Sequence, residues 1–199
     1  MKQEGLARAK AAFGIEADAL RETAANMDWE SFSRAVLLLA TAPKIGSSGC
    51  GHTGIACMHF AHLMCCIGRP ARFLSPSEAL HGASGFLQPG DVLVVASRGG
   101  RTAELLAVIA VAKKIGASVI AVTENTDSEM AKTSDIVLPL RIPREVDREN
   151  TQGTSSFAAT SAVFDALQAA LIEETGHKSD QFAVVHPGGA VGERLNRKS

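Results

Sequence analysis

The spacing of apolar positions changes several times along the chain, and each change marks an element. Val92-Leu93-Val94-Val95-Ala96 is an unbroken apolar run rich in β-branched residues. That is the pattern of a strand buried on both faces of a parallel sheet. The run stops at Ser97-Arg98-Gly99-Gly100-Arg101-Thr102, and from Thr102 to Ile115 apolar residues recur at helical spacing. Gly116 stands where a helix C-cap belongs. Residues 118–123 (SVIAVT) and 135–140 (DIVLPL) read as two more strands. Pro139 puts the second at a sheet edge, because proline cannot donate to a ladder on both sides. Residues 71–74 (ARFL) read as a short strand. Residues 43–48 (PKIGSS) make a poor strand by composition, with only Ile45 strongly apolar, yet they stand directly before a glycine turn, GCGHTG at 49–54, and a helix to about Cys66.

Residues 1–41 look helical throughout, with Asp28 placed to cap the stretch from Trp29 to Leu39. This segment is expected to pack on the domain or to form an oligomer surface. Near the other end, Thr154-Ser155-Ser156 starts a long apolar helix from Phe157 to Glu174, closed by Gly176. Strands alternating with helices predict an α/β fold, a parallel sheet with helices on both faces. Ligands of such folds sit at the carboxyl ends of the strands, where each polar glycine turn falls.

Composition narrows the function classes. The chain of 199 residues is 46% hydrophobic with a formal net charge of −1, as expected of one globular domain. Near-neutral charge offers no electrostatic case for nucleic acid or an anionic membrane as partner, and no apolar run reads as long enough to span a bilayer. The amino terminus, MKQEGLARAK, lacks signal-peptide features, so a cytoplasmic location is expected. The four cysteines (Cys50, Cys57, Cys65, Cys66) fall within one short segment and read as reduced thiols. Without tyrosine and with few aromatics, the chain lacks a stacking platform for single strands.

The candidate chemistry lies in the turns. Strand, glycine loop and helix at 92–115 aim backbone N–H groups and the positive end of a helix dipole at one spot crowded by Ser97, Thr102, Arg98 and Arg101. A phosphate suits that spot; an ordinary βα turn with a solvated arginine pair is the plain alternative. The turn at 49–54 is formally a GxGxxG, but a dinucleotide site needs a clear strand before it and an acid closing the next strand, and ARFL closes on Ser75-Pro76 instead. The following helix carries Cys57, His59, His62 and Cys66, types that can ligate a soft metal. No CxxC pair is present, and such residues also occur on packed helix faces. Residues 141–153 (RIPREVDRENTQG) are highly charged and carry Glu145, as a solvated loop or an active-site loop would. His186 opens HPGGAVGERL at 186–195, where a capped surface helix explains the glycines but not the leading histidine.

Four pieces in order, GCGHTG at 49–54, SEALHG at 77–82, SRGGRTAE at 97–104 and HPGGAVGERL at 186–195, resemble the sugar isomerase (SIS) domain of D-arabinose-5-phosphate isomerases. The similarity covers roughly residues 30–197, with 42–199 forming the SIS domain. The resemblance implies a flavodoxin-like three-layer sandwich with a five-stranded parallel sheet. It implies aldose–ketose isomerisation of a phosphosugar through a cis-enediol, most simply arabinose 5-phosphate to ribulose 5-phosphate, without cofactor or metal. It also implies a homotetramer whose sites are completed by neighbouring subunits. The matched phosphate-loop positions are Thr53, Ser97, Gly99 and Thr102, with Ser155 and Ser156 matching a serine pair at the last helix. The matched catalytic positions are His81, Glu104, Glu145 and His186. Such chemistry needs a group that takes and returns a carbon-bound proton, a shuttle between two oxygens, and help in ring opening. Carboxylates and histidines can serve near neutral pH if burial raises the carboxylate pKa. Glu145 is the expected carbon base, with His186 assisting ring opening and oxygen proton transfer. Glu104 and His81 would orient substrate hydroxyls.

Three departures from the family pattern stand out. His52 replaces a lysine in the first glycine turn, and carries charge only when protonated. Arg98 and Arg101 stand where the family usually has Asn and Glu, and Gly99 replaces a serine hydroxyl, so the phosphate site looks rebuilt. The sequence, ending at Ser199, holds no counterpart of the paired CBS regulatory domains of many relatives and is expected to work without that control. A phosphosugar-binding sensor with reduced turnover, or an isomerase of another pentose or a hexulose phosphate, are the alternatives these departures raise.

Overall fold

A computed structural model describes residues 2–196. In chain order its elements are α1 (Gln3–Ala25), α2 (Trp29–Thr41), β1 (Ile45–Gly49), α3 (Gly51–Cys66), β2 (Ala71–Phe73), α4 (Pro76–Leu80), β3 (Val92–Ala96), α5 (Ala103–Ile115), β4 (Ser118–Thr123), α6 (Glu129–Thr133), β5 (Ile136–Pro139), α7 (Ser155–Thr175), α8 (Ser179–Val185) and α9 (Gly189–Asn196). Among the described residues the sheet has five strands, all parallel, in the order β2-β1-β3-β4-β5. This is the flavodoxin-like order, and β5 with its Pro139 is an edge. The side on which successive strands are added switches between β1 and β3, which opens a crevice at their carboxyl ends. There Gly49 of β1 stands beside Ala96 of β3.

The sheet is covered on both faces. One core layer joins Val92, Val94 and Ala96 of β3 to Phe60 of α3, Phe164 of α7 and Leu39 of α2; the other joins Leu93 and Val95 to Val108 and Ile109 of α5 and to Met130 of α6. The alternation along β3 feeds both layers, so every residue of that strand is buried and apolar. Phe60 and Phe164 meet with ring centroids 4.6 Å apart, a contact of about 1 kcal/mol beyond the area they bury. Residues 3–41 belong to this core: Ala19, Phe32, Ala35, Val36 and Leu39 are buried in the first layer. Asp28 caps α2, accepting from the N–H groups of Glu30 and Ser31 at 3.1 Å. Among the described residues, one helix is long and apolar enough to cross a membrane, α7, which corrects the reading of the apolar runs. Its buried face here packs in the core against α1, α2 and α3.

Residues 43–48, unpromising by composition, lead into and form a central strand. All of β1 is buried, and its polar side chains are satisfied within the fold. Ser47 donates to the Cys57 carbonyl at 2.8 Å and Ser48 to the Leu74 carbonyl at 2.7 Å. The glycines answer to space: a Cβ on Gly54 would fall 2.7 Å from the Gly49 carbonyl oxygen, so α3 starts hard against the end of β1. Hydrophobicity alone cannot register a strand built this way.

Candidate active site

At the carboxyl ends of the strands, the turns after β1, β2 and β3 surround a cavity of about 360 Å³ lined by Cys50, Gly51, Phe73, Ser75, Ser77 and Glu104 among others. Glu104 sits in the first turn of α5 and is exposed to this space. Cys50 caps α3 without a side-chain hydrogen bond, and burial, together with the nearby Glu104 charge, pushes its thiol up from the ordinary value. Thr53 donates to the Cys50 carbonyl at 2.7 Å and holds the turn.

The loop after β3 is shaped by its own hydroxyls. Ser97 and Thr102 share a hydrogen bond at 3.1 Å, and the Gly100 N–H donates to Ser97 Oγ at 3.2 Å. Gly100 has φ 63°, and a Cβ there would collide with Ser128, so glycine is required. Gly99 is different: it is exposed, and a Cβ would meet nothing within 4 Å. The first N–H groups of α5 have no intrahelical acceptor and point at this loop. Arg101 is exposed, with no hydrogen bond or ion pair among the described residues.

Arg98 behaves otherwise, being paired within its own chain. Its Nε donates to Glu124 Oε2 at 2.8 Å and its Nη1 to Glu145 Oε1 at 2.8 Å. The guanidinium thus bridges two carboxylates of its own chain. Glu124, in the turn after β4, also accepts from the Ile142 N–H at 2.9 Å. Nothing in local spacing couples the turn after β4 to residue 98, so the sequence carries no sign of this role.

Glu145 is likewise not placed as expected of a carbon base. Its side chain is 1% exposed. Its Oε2 accepts from the Thr154 N–H at 2.9 Å, the Ser156 N–H at 3.1 Å and Thr154 Oγ1 at 3.2 Å. Burial by itself would push this carboxyl up, but hydrogen bonds from Ser156 and Thr154 and the Arg98 charge outweigh it. The net shift is downward, away from the range in which a carboxylate serves as a base near neutral pH. The carboxylate fills the N-terminus of α7, so Ser155 and Ser156, expected to hold phosphate, lie buried behind it. Ser155 Oγ is buried without a partner among the described residues.

Residues 141–153 therefore form a strap, tied at one end by Arg98 and at the other by α7. The helical preface ties it too. Thr23 Oγ1 donates to the Arg141 carbonyl at 3.1 Å, and Arg148 pairs with Glu4. The strap's last glycine, Gly153, packs on the ring of His52, whose Nδ1 lies 3.1 Å from where a Cβ would stand. His52 is otherwise exposed, as is His81 at the C-cap of α4, on the β2 side of the rim.

His186 is nowhere near this rim. It caps α8, stacks on Phe182 with ring centroids 4.9 Å apart, and has a buried Nδ1 without a partner among the described residues. It lines a cavity with Cys66, Ile67 and His177, at the ends of α3 and α7 farthest from the strand carboxyl ends. The histidine- and cysteine-bearing helix is used structurally. Cys57 donates to the Ser48 carbonyl at 3.2 Å with its thiol pushed up to about 12 by burial, and His59 pairs with Asp165 at 3.2 Å. Among the described residues, no three His, Cys, Asp or Glu side chains converge as metal ligands.

Residues 38–170 match the SIS domain family. The chain is 33% identical over 187 residues to the arabinose 5-phosphate isomerase KdsD of Pseudomonas aeruginosa, covering 94% of this chain and 57% of that protein. The chain thus spans little more than half the length of the curated relatives it matches. Among solved structures, it superposes on a putative sugar-phosphate isomerase from Listeria monocytogenes with a TM-score of 0.91 at 38% identity, covering 94% of this chain and all of that one. A protein of Escherichia coli CFT073 in complex with arabinose 5-phosphate gives a TM-score of 0.85 at 26% identity, again over 94% of this chain and all of the other.

Proposed function

This chain belongs to the SIS-domain family, and from that premise we propose that it interconverts an aldose and a ketose phosphate, arabinose 5-phosphate and ribulose 5-phosphate, through a cis-enediol. The observation that carries the reading is the crevice between β1 and β3, where the phosphate cradle of the loop after β3 and the accessible Glu104 carboxylate stand side by side at the start of α5. Ser97, Thr102, the amides at the start of α5 and the free Arg101 guanidinium suit the phosphate; Thr53 and Gly99 shape the entrance. The relatives' names and the arabinose 5-phosphate bound to the Escherichia coli protein support the pentose.

Within that reading, Glu104 is the carboxylate positioned to take the proton from C2 of the aldose and return it to C1. Glu145, sequestered and held ionised, keeps the strap in place instead. Histidines at the rim, His81 and His52, serve the substrate oxygens. His186 lies too far from its own rim to take part there. A homotetramer with sites completed between subunits gives it a place at a neighbour's rim, where it assists ring opening and oxygen proton transfer. The reaction belongs to the cytoplasm, in keeping with four free cysteines.

A panel of pentose and hexose phosphates, followed by NMR in deuterated water, tests the proposal. Turnover of the pentose pair with deuterium entering at C1 or C2 is the expected result. Binding without exchange at any carbon would favour the second reading, a phosphosugar sensor, which the exchange of lysine for His52 supports.

A further inference from the structure

The turn after β2 carries two side chains that the fold leaves unused. Ser75 and Ser77 line the cavity at the strand rim together with Glu104. Their hydroxyls lie 3.2 Å apart and bond each other, with no other partner for either among the described residues. The serines of β1 are different, since Ser47 and Ser48 each donate to a backbone carbonyl. A hydroxyl donates once and accepts twice, so the Ser75–Ser77 pair keeps one O–H and several lone pairs for a ligand.

The platform beneath the pair is anchored to β1. The Leu74 N–H donates to the Ser47 carbonyl at 2.8 Å, and the Leu74 carbonyl accepts from Ser48 Oγ at 2.7 Å. Leu74 and Pro76 are buried on either side of Ser75, and the proline ring fixes its own φ. A hydroxyl pair held this way loses little freedom when it binds. Phe73 and Met58 supply apolar wall, and Glu104 is the one acid or base of full charge among the described lining residues. Such a lining suits the uncharged, hydroxyl-bearing end of a ligand.

The topology says which end that is. β1 lies between β2 and β3, so the serines and the loop of Ser97 and Thr102 flank it on opposite sides. Glu104 follows Thr102 by two residues and shares the serines' cavity. On the phosphosugar reading given above, with the phosphate at Ser97 and Thr102 and C2 at Glu104, the end remote from the phosphate points toward β2. We propose that Ser75 and Ser77 bind that end, one hydroxyl meeting O1 and the other O2 of the open-chain sugar. Isomerisation exchanges the roles of those oxygens: the aldose has its carbonyl at C1 and a hydroxyl at C2, and the ketose has the reverse. A lysine or a backbone N–H can only donate, whereas a serine donates to a carbonyl and accepts from a hydroxyl. The bond between the two serines can run in either direction, so the pair follows the exchange without moving a heavy atom. Two anchored hydroxyls at this spacing also keep O1 and O2 on one side, as a cis-enediol requires.

The test uses arabinitol 5-phosphate, which has both hydroxyls and no carbonyl to react, and its 1-deoxy form. Calorimetry compares the two on wild type and on the double variant Ser75→Ala/Ser77→Ala. The wild type should bind the full polyol about tenfold more tightly, the difference made by one hydrogen bond. In the double variant that ratio should fall below about twofold, with affinity for inorganic phosphate held within about twofold of wild type. Its urea midpoint should not move, because Ser75 makes no capping bond to α4. A ratio that persists in the double variant would overturn the assignment, as would a wild type that binds both polyols equally. Both results leave the phosphosugar reading standing. A wild type that binds neither polyol nor inorganic phosphate would overturn the two together.

Discussion

The two halves of the strand rim are built on opposite plans. On the β1–β2 side, Glu104, Cys50, Ser75 and Ser77 face a cavity, and Glu104 is exposed to it. On the β4–β5 side, Glu124, Glu145 and Arg98 consume one another's charge, and helix α7 receives Glu145 at its N-terminus. Both sides carry a glutamate that the sequence resemblance led us to expect in catalysis. Only one of them is free to meet a substrate. An acid is useful for proton transfer when a substrate can reach it and its pKa can approach the working pH. An acid with four donors and a lowered pKa is useful for holding a loop. The position of a carboxylate in a motif therefore does not decide its work; its other hydrogen bonds do.

Breaking the closed side should have the largest effect on stability. Arg98→Ala leaves Glu145 buried with its cation gone but three donors in place, a loss of about 2–3 kcal/mol, below that of a fully buried pair because Arg98 is a third exposed. Urea unfolding reads this directly, and a loss below about 1 kcal/mol would mean the pair contributes little. Arg98→Ala combined with Glu145→Gln should recover part of the loss, because the stranded charge is removed with its partner.

On the open side the expectation reverses. Glu104→Gln should lower turnover by about 10²–10⁴-fold, the usual range for losing a general base. Its unfolding free energy should change by no more than about 0.5 kcal/mol, as for an exposed residue. Loss of stability with full activity would exchange the roles assigned to the two glutamates.

The comparison extends to pH. The folded pKa of Glu145 lies below its ordinary value of 4.5, so its contribution is complete above that value and disappears as pH falls through the lower folded value. Wild-type stability should therefore decline on acidification below about pH 4.5 more steeply than that of Glu145→Gln. Parallel curves for the two proteins would contradict the assignment.

The glycine loop gives the finest contrast. Gly100→Ala should cost about 1–2 kcal/mol, since a side chain at positive φ also meets Ser128. Gly99→Ser, one residue away in open space, should leave stability within about 0.5 kcal/mol. It should tighten phosphosugar binding severalfold through one added hydroxyl, measured by calorimetry.

Much of the fold was legible in the sequence where burial and hydrophobicity coincide. β3 and α5 are continuous in pattern, and the glycine loop between them lies where the change of period puts it. β1 was obscure because Ser47 and Ser48 satisfy their hydroxyls against backbone carbonyls and its glycines admit α3. The site was legible as a set of positions rather than as an arrangement. Arg98 and Arg101 look equivalent three residues apart, yet one points to Glu124 and Glu145, which are distant in sequence, while the other has no ion pair among the described residues. Local spacing cannot encode that difference, since it depends on how the strap returns over β4. His186 shows the same limit, because its motif carries no sign of the end of the molecule at which it lies.

The central claim is that Glu145 holds the strap and Glu104 does the proton transfer. It is tested most directly by phosphosugar turnover of Glu145→Gln at neutral pH, at a temperature where circular dichroism shows it folded. The account predicts a rate within about tenfold of wild type, because the amide still accepts hydrogen bonds at the α7 N-terminus and no substrate proton passes through this side chain. A folded Glu145→Gln that binds the phosphosugar as tightly as wild type but has lost turnover by about three orders of magnitude or more would contradict it.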